Sequence, residues 1–155
     1  MIRLGFLFLF VLGFLPVSLF AQQKIEKIYT FKIDADIDPA MNRRVNLALE
    51  EAKKNEVGLI LIEMDTYGGA VTDADEIRTL ILESEIPVYV FINKDAASAG
   101  ALISIACDSI YMAPGSSIGA ATVVNGADGA AAPDKYQSYM RSMICLLYTS
   151  DAADE

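Results

Sequence analysis

The run Gly58-Leu59-Ile60-Leu61-Ile62-Glu63-Met64 constrains this chain most. It carries one charge and almost no alternation, as suits a strand buried on both faces in a parallel sheet covered by helices. A second run of this kind, Val88 to Asn93, follows. Around them the periodicity is helical. Pro39 to Asn55 sets Val45, Leu49 and Ala52 on one face, with Asp38 as cap and Pro39 at the first helical position. Asp73 to Glu85 sets Ile77, Leu80 and Ile81 on one side and stops before Pro87. Lys27 to Ile33 alternates like a strand, Ser98 to Cys107 reads as a small, buried helix, and Ser109 to Met112 as a short strand. Pro114-Gly115 is a turn, Asn125 to Pro133 a Gly/Ala-rich loop, and Asp134 to Met143 a last helix. Strands and helices alternating at this spacing predict an α/β fold with a largely parallel sheet.

The two ends read differently from the middle. Leu4 to Phe20 contains no charge and follows Arg3, the pattern of a secretory signal with cleavage after Ala21. An uncleaved membrane anchor is the alternative, because the apolar run is near the lower limit for a bilayer span. On either reading residues 1–21 export the chain, and the folded domain lies outside the cytoplasm, at the membrane. Residues 145–155, Cys-Leu-Leu-Tyr-Thr-Ser-Asp-Ala-Ala-Asp-Glu, break the preceding pattern and resemble the translation of a transposase sequencing adapter. That reading makes residues 22–144 an incomplete domain of a longer protein, and this chain by itself inactive.

The formal net charge is −9. With no cluster of Lys or Arg, nucleic acid is not an expected partner, since phosphate contacts need cations. Cys107 and Cys145 imply no disulfide framework, and the lack of a CxxC or His/Cys cluster argues against zinc.

Ser98, in Asp95-Ala96-Ala97-Ser98-Ala99-Gly100, falls after a strand and at the start of a helix. There a hydroxyl and the Ala99 N–H would face the same space, and small neighbours would admit a substrate backbone. The plainer alternative is a helix cap. The chain has no histidine, so an activated Ser98 needs another base. Lys135, in Ala132-Pro133-Asp134-Lys135, is the downstream candidate, provided an apolar setting disfavours its charge; otherwise it is a solvated helix-terminal lysine. Gly68-Gly69 follows the first buried run and could aim an amide that, with Ala99, makes an oxyanion hole, or it is an ordinary strand-to-helix turn.

The order of these features is more specific than any one of them. Asp65-Thr66-Tyr67-Gly68-Gly69, then Ala97-Ser98-Ala99-Gly100, then Met112 to Ala120, then Lys135 to Ser142 together resemble the ClpP-class membrane serine proteases of the NfeD family, long form. The resemblance covers Ile28 to Met143. It implies a ClpP/crotonase-like superhelix of ββα units, truncated at the C-terminus. It also implies a Ser-Lys dyad, with Ser98 as nucleophile and Lys135 as general base, and oxyanion amides from Gly68 or Gly69 and from Ala99. No cofactor or metal is called for. The implied substrates are hydrophobic segments of stomatin-like membrane proteins, and the implied assembly is a homo-oligomer. Tyr67 stands where the family usually has proline, and the family's later membrane-spanning region and small β-barrel domain do not occur in this sequence. Two rival functions share the scaffold: a crotonase-like acyl-CoA enzyme, which a secretory signal disfavours, and a non-catalytic scaffold that binds a membrane partner.

Overall fold

The computed structural model describes residues 27–125 and 129–151, and the side chains only as far as residue 145. The expectations for residues 1–21 lie outside the described residues. Among the described residues five strands and four helices follow in the order β1 (Ile28–Ile33), α1 (Pro39–Lys54), β2 (Leu59–Thr66), α2 (Val71–Leu82), β3 (Val88–Ala97), α3 (Ala99–Ile105), β4 (Ser109–Met112), β5 (Ser117–Gly119) and α4 (Asp134–Asp151). Helix α4 runs through the 144/145 boundary drawn from the sequence.

The sheet has the order β1-β2-β3-β4, every pairing is parallel, and β5 joins β3 beyond the end of β4. Parallel neighbours need long crossovers, and α1, α2 and α3 supply them. Ile60, Ile62 and Met64 of β2 and Val88, Val90 and Ile92 of β3 are fully buried. Met41, Val45, Ala48 and Ala52 of α1 and Ile77 and Ile81 of α2 are buried as well, and most of these residues share one core cluster. Each large side chain taken out of water here contributes about 1.5–3 kcal/mol. Helix α1 starts as its sequence demands: the Asp38 carboxylate accepts the Met41 N–H at 2.8 Å, and Pro39 opens the first turn.

Several boundaries differ from expectation, among them the end of β2 at Thr66 rather than Met64 and the end of α2 at Leu82 rather than Glu85; two others bear most on the site. Helix α2 begins at Val71 rather than Asp73, with no side-chain cap at Ala70. Strand β3 continues through the polar Asn93-Lys94-Asp95 to Ala97, because β5 pairs with its last three residues. That extension places Ser98 at the tip of a central strand.

Candidate active site

Ser98 joins β3 directly to α3. Its backbone sits at φ 51°, ψ −112°, a combination that costs a non-glycine residue about 1–3 kcal/mol. The neighbours hold it there. The Ser98 N–H donates to the Gly119 carbonyl of β5 at 2.8 Å, and the Ser98 carbonyl accepts from Ala101 and Leu102 at 3.0 and 3.3 Å. Six of the seven residues of α3 are buried, so the turn cannot relax by moving the helix. The expected alternative for Ser98, a helix cap, is not realised: its side chain makes no capping hydrogen bond. The half-buried Ser98 is left at a sharp strand-to-helix bend, the backbone device that presents nucleophilic serines in α/β-hydrolases.

The small residues around Ser98 each have a steric reason. A Cβ on Gly100 would lie 2.6 Å from Thr66 Cγ2, so only glycine lets α3 close onto β2. A Cβ on Gly69 would lie 2.1 Å from the Ile37 carbonyl oxygen. Gly68, at φ +113°, passes so close to the bend that a Cβ would come within 2.7 Å of Ser98 Cβ and 3.2 Å of the Ala99 nitrogen. The glycine pair, Ser98 and Ala99 are therefore brought together as the sequence suggested.

The two glycines are not equivalent. The Gly68 N–H donates to Thr66 Oγ1 at 3.1 Å, and that hydroxyl in turn donates to the Ala35 carbonyl at 2.8 Å. The Gly68 carbonyl accepts from Ile37, and Ile37 accepts from Ala70. The Gly68 amide, one of the expected oxyanion donors, is thus engaged by Thr66. The Gly69 and Ala99 N–H groups make no hydrogen bond among the described residues.

Lys135 takes the plainer of its two expected settings, that of a solvated helix-terminal lysine. It lies in the first turn of α4 and is exposed, its ammonium 4.8 Å from the centroid of the Tyr136 ring. No hydrogen bond joins it to Ser98 among the described residues. Among the described residues no apolar enclosure surrounds the amine, because the buried face of α4 lies later, at Met140 and Met143. Lys94 is nearer to Ser98 in the chain, but it is ion-paired to Asp65 at 3.1 Å. The hydrogen bond to that carboxylate holds Lys94 above its ordinary pKa, the wrong direction for a base.

Tyr67, beside Gly68, is 79% exposed; Ile118 of β5 and Tyr136, beside Lys135, are also exposed. A cleft of about 470 Å³ between β1 and α1, lined by Tyr29, Phe31, Lys32, Arg44 and Leu47 among others, lies at the far edge of the sheet and is lined by none of Gly68, Gly69, Ser98, Ala99 and Lys135. Among the described residues no group of three or more His, Cys, Asp or Glu side chains could hold a metal, and no helix is long and apolar enough to cross a membrane.

The sequence and the fold have counterparts. The chain is 38% identical to the membrane protein NfeD1b of Bacillus subtilis (strain 168) over 136 residues, which is 88% of this chain and 31% of that protein. It is 32% identical over 102 residues to the membrane-bound protease PH1510 of Pyrococcus horikoshii, covering 64% of this chain and 23% of that protein. The chain thus spans less than a third of the curated relatives it matches. Among solved structures, the 1510-N membrane-bound stomatin-specific protease superposes in two mutant forms. A serine-to-alanine mutant gives a TM-score of 0.73 at 29% identity, covering 79% of this chain and 62% of that one. A lysine-to-alanine mutant in complex with a substrate peptide gives 0.75 at 30%, covering 80% and 60%. A probable enoyl-CoA hydratase of Mycobacterium tuberculosis H37Rv, at TM-score 0.50 and 18% identity over 55% of this chain and 46% of that one, shares the fold alone. The fold is therefore the ClpP/crotonase type. Residues 27–150 match the model of the NfeD1b N-terminal domain, and the chain belongs to that family.

Proposed function

We propose that this domain is the catalytic part of a membrane-associated serine endopeptidase working through a Ser-Lys dyad. Ser98 Oγ attacks a peptide carbonyl, the Lys135 amine takes the proton and returns it to the leaving amine, and the Gly69 and Ala99 amides hold the tetrahedral oxyanion. The observation that supports this reading is the strained backbone of Ser98, uncapped and lodged against Gly68 beside the Ala99 N–H, which has no partner among the described residues. Strain of this kind persists only where the surroundings enforce it, and it marks functional positions.

The exposed Lys135 must lose its water before it can act as a base. An apolar substrate segment laid across Tyr67, Ile118 and Tyr136 would exclude that water and disfavour the ammonium. This ties the choice of hydrophobic substrate to the activation of the base. The 1510-N protease is named as stomatin-specific, and a hydrophobic segment of a stomatin-like membrane protein is the substrate class we assign to this domain. Export through residues 1–21, placement of the domain outside the cytoplasm, and assembly into homo-oligomers complete the proposal.

The test is cleavage of a quenched fluorescent peptide with an apolar stretch by the full-length protein. Ser98→Ala and Lys135→Ala should each abolish it. Undiminished cleavage by Ser98→Ala refutes the proposal. A protein that binds the peptide but cleaves nothing, in wild type and variants alike, points to the scaffold reading instead.

A further inference from the structure

An unbonded amine takes its position from the helix that carries it. Lys135 has no hydrogen bond or ion pair among the described residues, so where its amine can reach depends on the placement and roll of α4. Three sets of contacts fix that helix. Met140 and Met143 are buried in the core on the side of α3. On another side, the Gln137 amide grips the backbone of a short antiparallel finger whose bridge pairs Val124 with Ala131. Its Oε1 accepts the Val123 N–H at 3.1 Å, and its Nε2 donates to the Val123 and Ala132 carbonyls at 2.6 and 3.2 Å. On a third side, the Tyr139 hydroxyl donates to Asp75 Oδ2 of α2 at 3.0 Å. Asp75 is itself held, since Arg78 Nε donates to Oδ1 at 2.7 Å and the two side chains form an ion pair.

The spacing matters. Tyr139 is four residues after Lys135, so the two side chains lie one above the other on the same face. Gln137 is two residues after Lys135 and points away from that face. A roll of α4 that moved Lys135 would have to break one grip or the other.

We propose that Gln137 and Tyr139 are positioning residues for Lys135: they lock the roll of α4 through the finger backbone and through Asp75, and so fix the reach of the amine toward Ser98. The inference rests on the Ser-Lys reading. Neither residue touches the reacting atoms. The Tyr139 hydroxyl is held above its ordinary pKa of 10 by the Asp75 carboxylate, so the grip stays protonated and intact at neutral pH.

The test uses the full-length protein, the quenched apolar peptide, and the rate of Ser98 labelling by a fluorophosphonate. Tyr139→Phe removes one oxygen, and Gln137→Leu removes the amide at similar size. Each should lower kcat and the labelling rate by about tenfold or more, with KM within about twofold, because a misplaced base slows chemistry without weakening binding. Asp75→Asn, which can still bond the Tyr139 hydroxyl, should remain near wild type. Asp75→Ala should match Tyr139→Phe, and the double variant should be no worse than either single one. The proposal is overturned if Tyr139→Phe and Gln137→Leu keep wild-type kcat. It is equally overturned if their losses scale with lowered melting temperature, or if Asp75→Asn loses as much activity as Asp75→Ala. If Ser98→Ala or Lys135→Ala still cleaves, the protease reading itself fails; if both are inactive and the positioning variants are normal, only this inference fails.

Discussion

Gly68→Ala probes the packing of the bend most sharply. The new Cβ would lie 2.7 Å from Ser98 Cβ, 3.1 Å from the Ala97 carbonyl oxygen and 3.2 Å from the Ala99 nitrogen. Carbon atoms rest about 3.5–4.0 Å apart. The overlap therefore approaches about 1 Å, against a residue already strained and tied to Gly119. Backbone strain at φ +113° adds about 1–2 kcal/mol and overpacking about 1–3 kcal/mol, a loss of about 2–5 kcal/mol in stability. The same methyl would crowd the Ala99 N–H, and losing one oxyanion donor costs about 10²–10³ in kcat. Gly115→Ala is the control, since Gly115 has φ +83° but nothing within 4 Å of a new Cβ. It should lose only the strain, about 1–2 kcal/mol, and keep its activity. Urea unfolding and peptide cleavage of the full-length variants supply the two readouts. A Gly68→Ala protein as stable and active as Gly115→Ala refutes the steric reasoning.

Two further outcomes follow from the same geometry. Ser98→Gly and Ser98→Ala should both lack peptidase activity, but the glycine variant should be more stable by about 1 kcal/mol, the relieved strain less the extra chain entropy of glycine; equal urea midpoints would show that φ 51° costs nothing here. Burial, with a smaller push from the Asp108 charge, raises the Cys107 thiol to about 12, while Cys145 is exposed. Iodoacetamide at pH 8 should modify Cys145 well before Cys107. Because the folded thiol holds its proton to higher pH than the unfolded one, the fold should lose stability as pH rises from about 9 towards 12, by up to about 1.4 kcal/mol per pH unit. That slope should flatten in Cys107→Ala, and an unchanged slope between pH 9 and 10 would assign the loss to other groups.

Much of this architecture was readable from the chain. The apolar runs at 59–64 and 88–92 could only be covered strands, and Asp38-Pro39 fixed the start of α1. Strand β5 was not readable. Three residues, Ser117–Gly119, carry no alternation, and their pairing depends on where β3 happens to end. The start of α2 was misplaced because Ala70 offers no cap for a pattern to reveal. At the site, the sequence brought Gly68, Gly69, Ser98 and Ala99 together but could not rank the glycines, because a hydroxyl two residues away, on Thr66, decides which amide is left without a partner. For Lys135 the sequence offered both an apolar setting and a solvated helix-terminal one, and the choice between them depends on how far along α4 its buried face begins. Periodicity reports which faces are covered; it carries little about single hydrogen bonds or the azimuth of one side chain.

The central claim is that the hydroxyl at the strained bend is the nucleophile. Mass spectrometry of the full-length protein after treatment with a fluorophosphonate reads this out directly. One adduct on Ser98 is expected, formed much more slowly in Lys135→Ala. A protein that cleaves the apolar peptide while carrying its adduct on another residue, or none at all, contradicts it.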